Sequence, residues 1–515
     1  MSLPSSALRF ATLGLMAVVA CDRDARVPSE PVARPALQFS TVAHGGVVPA
    51  RTGRHIVAFS GSVPADFARQ VASLGGKVLW VSPRTGLAAV SGLRGTAPGL
   101  LVVKRGIQTV DVDLAIPLDV PRLAVDATAD GGGVASNANP AAAVRFPRQW
   151  NMRAVHADQA WAHGFLGSST VSIFMLDSGI DPHHADTEGR VDATRSVDLL
   201  GTFDAQVVDG KDTTIVPFTE ADTVQKYFPG KEVYTDLFFH GTHTGATVSS
   251  NAVRIAGITS GTKLVAVKVC GYINDCPFSS ILQGIIYAAD SGADVVNMSL
   301  GGAFTKAGNG RFVGLLNKVF NYARSKGVTI VVSAGNEATD LDHNGNTYQT
   351  FCDTPAVICV SATGPTSDAT GFTTSTGSWT DVDAPAFYTN FGRSAISVAA
   401  PGGNSSFGPD LPFPASRDVF VWAACSQTTI VEDTLHVKSF PCAGRNIFIV
   451  GAEGTSMAAP HVSGTAALLV SILGRRPSQI KARIQQSADN VAGNGTTPFY
   501  GKGRLNVARA VGAIP

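Results

Sequence analysis

The chain has 515 residues, with 40 basic and 39 acidic side chains and a net charge of +1. That length exceeds one ordinary domain, so two folded units plus removable pieces are the starting expectation. Nothing in the balanced charge suggests a nucleic-acid partner, and 54 glycines suit a loop-rich α/β enzyme better than a helical bundle.

Residues 1–20 read as an export signal. Arg9 precedes an apolar run, 10–20, that is too short to cross a bilayer as a helix. The run ends Val18-Val19-Ala20-Cys21, which resembles a bacterial lipobox with Cys21 as the lipidation candidate. A plain small-residue cleavage site after Ala20 is the alternative. Either way the protein is secreted or held at the cell envelope, with membrane contact only through a lipid anchor at Cys21. No other segment has about 18 uninterrupted apolar residues, so no transmembrane domain is expected.

A polar, Pro-containing segment follows at 22–51. A small α/β unit is predicted over 53–113, with strands at 55–59, 77–81 and 87–90. Its helix is predicted at 64–74, where Phe67, Val71 and Leu74 share a face and Gly75-Gly76 stop it. At about 60 residues such a unit has a marginal core. The stretch 114–144 reads as a linker; its second half, from 125, is rich in Ala, Gly, Asp and Asn.

From 145 to 515 the pattern changes. The runs 171–176, 264–269, 295–298, 329–333 and 357–360 are short, β-branched and apolar on both faces, and a helical stretch at 281–291 separates two of them. That is the signature of parallel strands buried under helices, and it predicts a doubly wound, mostly parallel α/β domain. The insertions 191–236 and 404–448 carry no motif. Of seven cysteines, six follow residue 269. The simplest pairing joins neighbours: Cys270 with Cys276, Cys352 with Cys359, Cys425 with Cys442. Six cysteines allow about fifteen connectivities, so that pairing stays open. A zinc site is disfavoured by the lack of C-x₂-C spacing and of a histidine at ligand distance.

Three segments carry chemistry. Ile173-Phe174-Met175-Leu176-Asp177-Ser178-Gly179-Ile180-Asp181 ends an apolar strand on an Asp, where open α/β sheets bind ligands. His240-Gly241-Thr242-His243-Thr244-Gly245-Ala246-Thr247 places a His at the start of a small-residue helix. Gly454-Thr455-Ser456-Met457-Ala458-Ala459-Pro460-His461 places a Ser at the N-terminus of an Ala-rich helix, where exposed N–H groups favour negative charge. A serine needs a base to take its proton and a carboxylate to orient that base.

The motifs D-S-G-I-D, H-G-T-H and G-T-S-M-A-A-P-H, in the order Asp, His, Ser, resemble the subtilisin-like (subtilase) family over roughly 145–515. Residues 53–113 resemble its inhibitory propeptide more loosely. The resemblance implies a secreted serine endopeptidase made as a zymogen. Asp177, His240 and Ser456 would form the catalytic triad, and Asn336, in Ser333-Ala334-Gly335-Asn336, would serve the oxyanion hole. Ser299, Leu300, Gly301 and Gly302 would bind extended polypeptide substrate. The chain's own propeptide would block the cleft until a cut in the linker. No cofactor is required for chemistry. A structural calcium ion is compatible with the resemblance, because Asp186 stands where some relatives bind one, but no ligand set is readable. His183, His184, His243, His461 and Asp181 are expected in structural or solvated roles. Gly245-Ala246 reverses the family's usual order, and both residues are small. The alternative reading is a catalytically silent homologue that binds peptides in the same cleft.

Overall fold

The computed structural model describes residues 51–118, 122–125, 133–209, 212–273, 275–306, 310–349, 351–368, 379–405, 419–430, 442 and 447–515. The export signal, Cys21 and all but the last residue of the segment 22–51 lie outside the described residues.

The N-terminal unit contains β1 (Arg51–Phe59), α1 (Phe67–Ala72), β2 (Lys77–Ser82), β3 (Leu87–Ser91), α2 (Ala97–Val102) and β4 (Ile107–Pro117). The strands form an antiparallel sheet in the order β4-β1-β3-β2. Alternation along β1 explains its two buried faces. Val57 and Phe59 pack with Phe67, Val71 and Leu101 of the unit's own helices. Ile56 and Ala58 point the other way, into a core shared with the second unit. The helix predicted at 64–74 is shorter, because Pro64 makes only a turn to the Phe67 N–H before it.

The segment predicted as a linker is more ordered than its composition suggests. Its first residues continue β4, and β5 (Arg122–Val125) is a strand of another sheet. Further on, Ser136, Val144 and Arg145 donate backbone N–H groups to carbonyls of Asn251, Val253 and Arg254.

In the second unit, β6 (Ser172–Asp177) and β7 (Val197–Asp198) precede a hairpin, β8 (Thr202–Asp209) and β9 (Asp212–Thr219), which runs into α3 (Glu220–Tyr227). Then come α4 (His240–Val248), β10 (Lys263–Lys268), β11 (Asp275–Pro277), α5 (Phe278–Asp290), β12 (Val295–Met298), α6 (Gly310–Ser325) and β13 (Thr329–Ser333). The unit ends with β14 (Ile358–Thr363), β15 (Val398–Pro401), β16 (Val421–Ala424), β17 (Ile449–Glu453), α7 (Thr455–Leu473) and α8 (Pro477–Ser487), followed by a short helix at Val507–Val511.

Among the described residues a seven-stranded sheet runs β15-β14-β13-β12-β6-β10-β7, with every pairing parallel. Its strands were legible as apolar runs because both faces are covered. Ile173, Met175, Leu264 and Ala266 face α7, while Phe174, Leu176, Val265 and Val267 face α5 and α6. The strands that follow β6 add on opposite sides of it, β10 on one and β12 on the other. Asp177, the last residue of β6, therefore stands at the switch point where such sheets form a crevice.

Helix α7 is long and apolar enough to cross a membrane, yet 83% of that span is buried inside the fold. At Gly464 an added Cβ would lie 2.6 Å from Ile258 Cβ. Gly464→Ala is expected to overpack this contact and destabilise the protein by about 1–3 kcal/mol. Thermal unfolding of the two proteins measures it, and an unchanged midpoint would contradict the packing described.

Candidate active site

Asp177 has no exposed surface, and its carboxylate is met by donors from three residues, Ser178 next to it and His240 and Thr244 of α4. The Ser178 N–H donates to Oδ1 at 2.8 Å and the Thr244 hydroxyl to Oδ2 at 3.1 Å. His240 Nδ1 lies 2.7 Å from Oδ1. His240 is the first residue of α4, and the turn before it is built around Asp236. Asp236 accepts the N–H groups of Phe238, Phe239 and Thr242 and the hydroxyls of Ser178 and Thr242. Burial pushes the Asp236 carboxyl up, and these donors pull it back. They hold Phe239 at φ +126°, a costly conformation for a residue with a side chain, immediately before His240.

Ser456 is the second residue of α7 and 5% exposed. Its Oγ donates to the Ser299 carbonyl at 3.0 Å, and the Ser299 hydroxyl donates back to the Ser456 carbonyl at 2.8 Å. The structure thus joins Asp177 to His240 directly, while the single hydroxyl proton of Ser456 is directed at Ser299. Asn336 Oδ1 accepts from the N–H and the hydroxyl of Thr455, at 2.8 and 2.9 Å. Its side chain is therefore anchored to the residue preceding Ser456, with Nδ2 on the opposite branch of the amide.

Leu300 is buried, and Gly301 and Gly302 are half-buried. A Cβ added at Gly302 would lie 3.0 Å from Ile116 Cγ2 of the N-terminal unit. Opposite this wall, β11 pairs antiparallel with the end of β4: Asp275 with Pro117, Cys276 with Ile116 and Pro277 with Ala115. Sequence reasoning missed β11, because three residues containing a Pro carry no strand signal. It also missed Asp113 of β4, which accepts the N–H and hydroxyl of Ser279 at the start of α5 and the Thr52 hydroxyl. Arg54 extends from β1 to the carbonyls of Leu200 and Thr202 and the hydroxyls of Ser279 and Ser280. Among the described residues neither carboxylate oxygen of the buried Asp275 has a hydrogen-bond partner. Burial, then the neighbouring Asp113, push the Asp275 carboxyl well above the usual range, and Arg54 opposes them.

The remaining histidines divide by burial. His243 donates from Nε2 to the Val421 carbonyl, and His461 donates from Nδ1 to the Met457 carbonyl and accepts at Nε2 from the Asn151 amide. Burial pulls His243 down to about 3 and His461 to about 4, so both stay neutral supports. His184 is buried against the Phe448 carbonyl, whereas the exposed His183 pairs with Glu232. Asp181 accepts from the N–H groups of His183 and Gln427.

Asp186 Oδ1 accepts from the Val253 and Arg254 N–H groups and the Ser250 hydroxyl. Only Oδ2 is left, whereas calcium takes six to eight oxygens. Among the described residues no group of three or more His, Cys, Asp or Glu gathers to hold a metal. The surroundings of Asp186 do not fit calcium; the short loop presents donors where a cation would need acceptors. The cysteines form the disulfides Cys270–Cys276, Cys352–Cys359 and Cys425–Cys442. The insertion 191–236 holds the β8–β9 hairpin, and Asp209-Gly210 is a turn signal for it.

The model of the subtilase family matches residues 168–503. Thermitase of Thermoactinomyces vulgaris is 29% identical over 367 residues, covering 71% of this chain and 96% of thermitase. The thermophilic serine proteinase of Bacillus sp. (strain AK1) is also 29% identical, over 70% of this chain and 67% of its own. Two crystal structures share the fold. The epidermin leader peptide processing serine protease of Staphylococcus aureus has a TM-score of 0.62 at 20% identity, over 89% of this chain and 97% of its own. Fervidolysin of Fervidobacterium pennivorans, described as keratinolytic and related to subtilisin, has 0.60 at 21%, over 92% and 62%.

The buried imidazoles give a direct test. Both His243 and His461 lie below the ordinary 6.5, whereas the exposed His343 is raised by its hydrogen bond to Asp340. In ring-nitrogen NMR spectra between about pH 8 and 5, His343 is expected to titrate and His243 and His461 to stay neutral. A protonation step of either buried ring in that range would contradict the assignment.

Proposed function

The chain belongs to the subtilase family and is a serine endopeptidase, and on that premise we propose that it cleaves peptide bonds by acyl transfer through Ser456. The observation that carries the reading is the 2.7 Å contact between His240 Nδ1 and Asp177 Oδ1. Beside a carboxylate, Nδ1 keeps its proton, which makes Nε2 the basic nitrogen. The Ser456 hydroxyl turns from the Ser299 carbonyl and gives its proton to Nε2 as Oγ bonds the substrate carbonyl carbon. His240 then returns that proton to the leaving amine as the C–N bond breaks, and water repeats the cycle on the acyl-enzyme. Asp177 orients His240 and balances its transient charge. Asn336 Nδ2 and the Ser456 N–H stabilise the oxyanion.

Residues 299–302 form one wall for extended substrate and β11 the other. The N-terminal unit acts as an inhibitory propeptide. The reading is supported by the pairing of Ala115–Pro117 with β11 and by Ile116 against Gly302, which is how an extended peptide adds to a sheet edge. Maturation cuts the chain within 114–145. Three disulfides support an oxidising destination and therefore the export signal at 1–20, with Cys21 as a lipid anchor.

A fluorophosphonate probe is expected to label the matured protein and not Ser456→Ala. Labelling that survives the substitution would overturn the assignment, and a matured wild type that resists the probe would favour the silent peptide-binding homologue. Asn336→Ala is expected to lower kcat by about 10²–10³ with little change in KM.

Docking of the N-terminal unit depends on pH with a definite sign. Asp113 and Asp275 hold their protons more tightly when docked, since burial raises both above the ordinary 3.8. Docking is strongest at low pH and weakens as pH rises from that value toward the raised ones. In the full-length Ser456→Ala chain, amide-exchange protection of β4 should fall as pH rises, and Asp275→Asn should flatten the dependence. A flat profile in the parent would refute it.

A further inference from the structure

We infer that Glu453 and Phe387 form a subsite selecting an arginine or lysine side chain on the leaving-group side of the scissile bond. The inference rests on the protease reading above and adds a preference that none of the catalytic residues explains.

Strand β17 runs through Gly454 and Thr455 directly into Ser456. Its far edge pairs with β16 and its near edge with β5, in antiparallel register: Glu453 with Arg122, Ala452 with Leu123, Gly451 with Ala124 and Val450 with Val125. An extended segment of the chain's own N-terminal region thus lies along a strand edge three residues from the nucleophile. β4 lies along β11 on the opposite wall. The chain that fills one side before residue 118 and the other after 122 reports what each side accepts.

On the β17 side it accepts a cation. Arg122 Nε lies 3.9 Å from Glu453 Oε1, and the guanidinium stands 5.1 Å from the centre of the Phe387 ring. The acid is built in and the cation arrives from outside. The Glu453 side chain is 2% exposed and that of Arg122 33%. Glu453 is oriented without Arg122, because the Ser405 N–H and hydroxyl each donate to it at 2.6 Å. Burial pushes the Glu453 carboxyl up and Arg122 opposes that shift. A buried carboxylate beside an aromatic face is costly with a neutral neighbour and favourable with a guanidinium or ammonium.

Matured enzyme is tested on internally quenched peptides carrying Arg, Lys, Ala or Glu at each of the first four positions after the cut. At one position Arg and Lys are expected to exceed Ala by about tenfold in kcat/KM, with Glu lower still. Glu453→Gln should bring the Arg-to-Ala ratio toward one, Glu453→Lys should favour Glu instead, and Phe387→Leu should weaken the Arg preference. Equal cleavage of all four, or a preference that survives Glu453→Gln, overturns the subsite. A second arm needs no turnover. In full-length Ser456→Ala protein, Arg122→Ala and Glu453→Gln should each speed amide exchange of 122–125 about tenfold while β6 is unchanged. Unchanged exchange at 122–125 overturns the contact. A protein that cleaves none of the peptides counts against the protease reading, and the exchange arm then decides the subsite.

Discussion

A carboxylate shut away from water must be surrounded by donors, and the rest of the site follows from how Asp177 meets that demand. It ends an interior strand of a sheet covered on both faces, so no solvent reaches it. The donors come from Ser178, His240 and Thr244. To bring the last two within reach, α4 must lie against the strand end. A Cβ at Gly241 would then stand 2.0 Å from the Gly179 carbonyl, so only glycine fits there. Thr242 bonds to Asp236 and Thr244 to Asp177. The residues after His240 are thus each accounted for by one contact, and the imidazole is fixed as a by-product of satisfying the acid.

The same logic ties Ser456 to its surroundings. Pro460 lies inside α7 and has no N–H, so the Ser456 carbonyl lacks its helical donor. The Ser299 hydroxyl takes that place. Ser456 returns a bond to the Ser299 carbonyl, and Thr455 beside it anchors Asn336. Ser456, Ser299 and the Thr455–Asn336 pair therefore form one hydrogen-bonded group. A shift of any one is felt by the other two.

What the sequence disclosed and what it hid follow the same division. The parallel strands and the elements that carry Asp177, His240 and Ser456 were legible because each is a contiguous run whose chemistry is local. Apolar strand, terminal acid, small-residue helix and serine at a helix start each read on their own. Neighbouring cysteines paired because the separations are only 6, 7 and 17 residues. Residues whose meaning depends on a distant partner stayed hidden. Asp275 matters because β4 arrives beside it, and Asp113 because it reaches the N-terminus of α5. The linker reading of 114–144 concealed two pairings, at 115–117 and 122–125, since short runs interrupted by Pro117 and Pro121 carry little strand signal even where an open edge organises them. The hairpin in 191–236 was missed, because the insertion was read as carrying no motif although Phe203, Ala205 and Val207 alternate along β8.

On the propeptide reading proposed above, folding of the N-terminal unit and blocking of the cleft are one problem. Its sheet is apolar on both faces, but its helices cover only one of them. Ile56, Ala58, Leu87, Ile116 and Leu118 on the other side belong to the same core as Phe278, Ile281 and Leu316. A unit of this size has little core to spare, so its second face needs the catalytic unit as cover. The strand that completes the sheet, β4, also lies along the cleft wall, so the unit cannot bury that face without threading its tail past the site. Separation removes the cover and the tail together. On the propeptide reading, loss of the unit's structure and opening of the cleft are therefore coupled steps, driven by the same apolar surface.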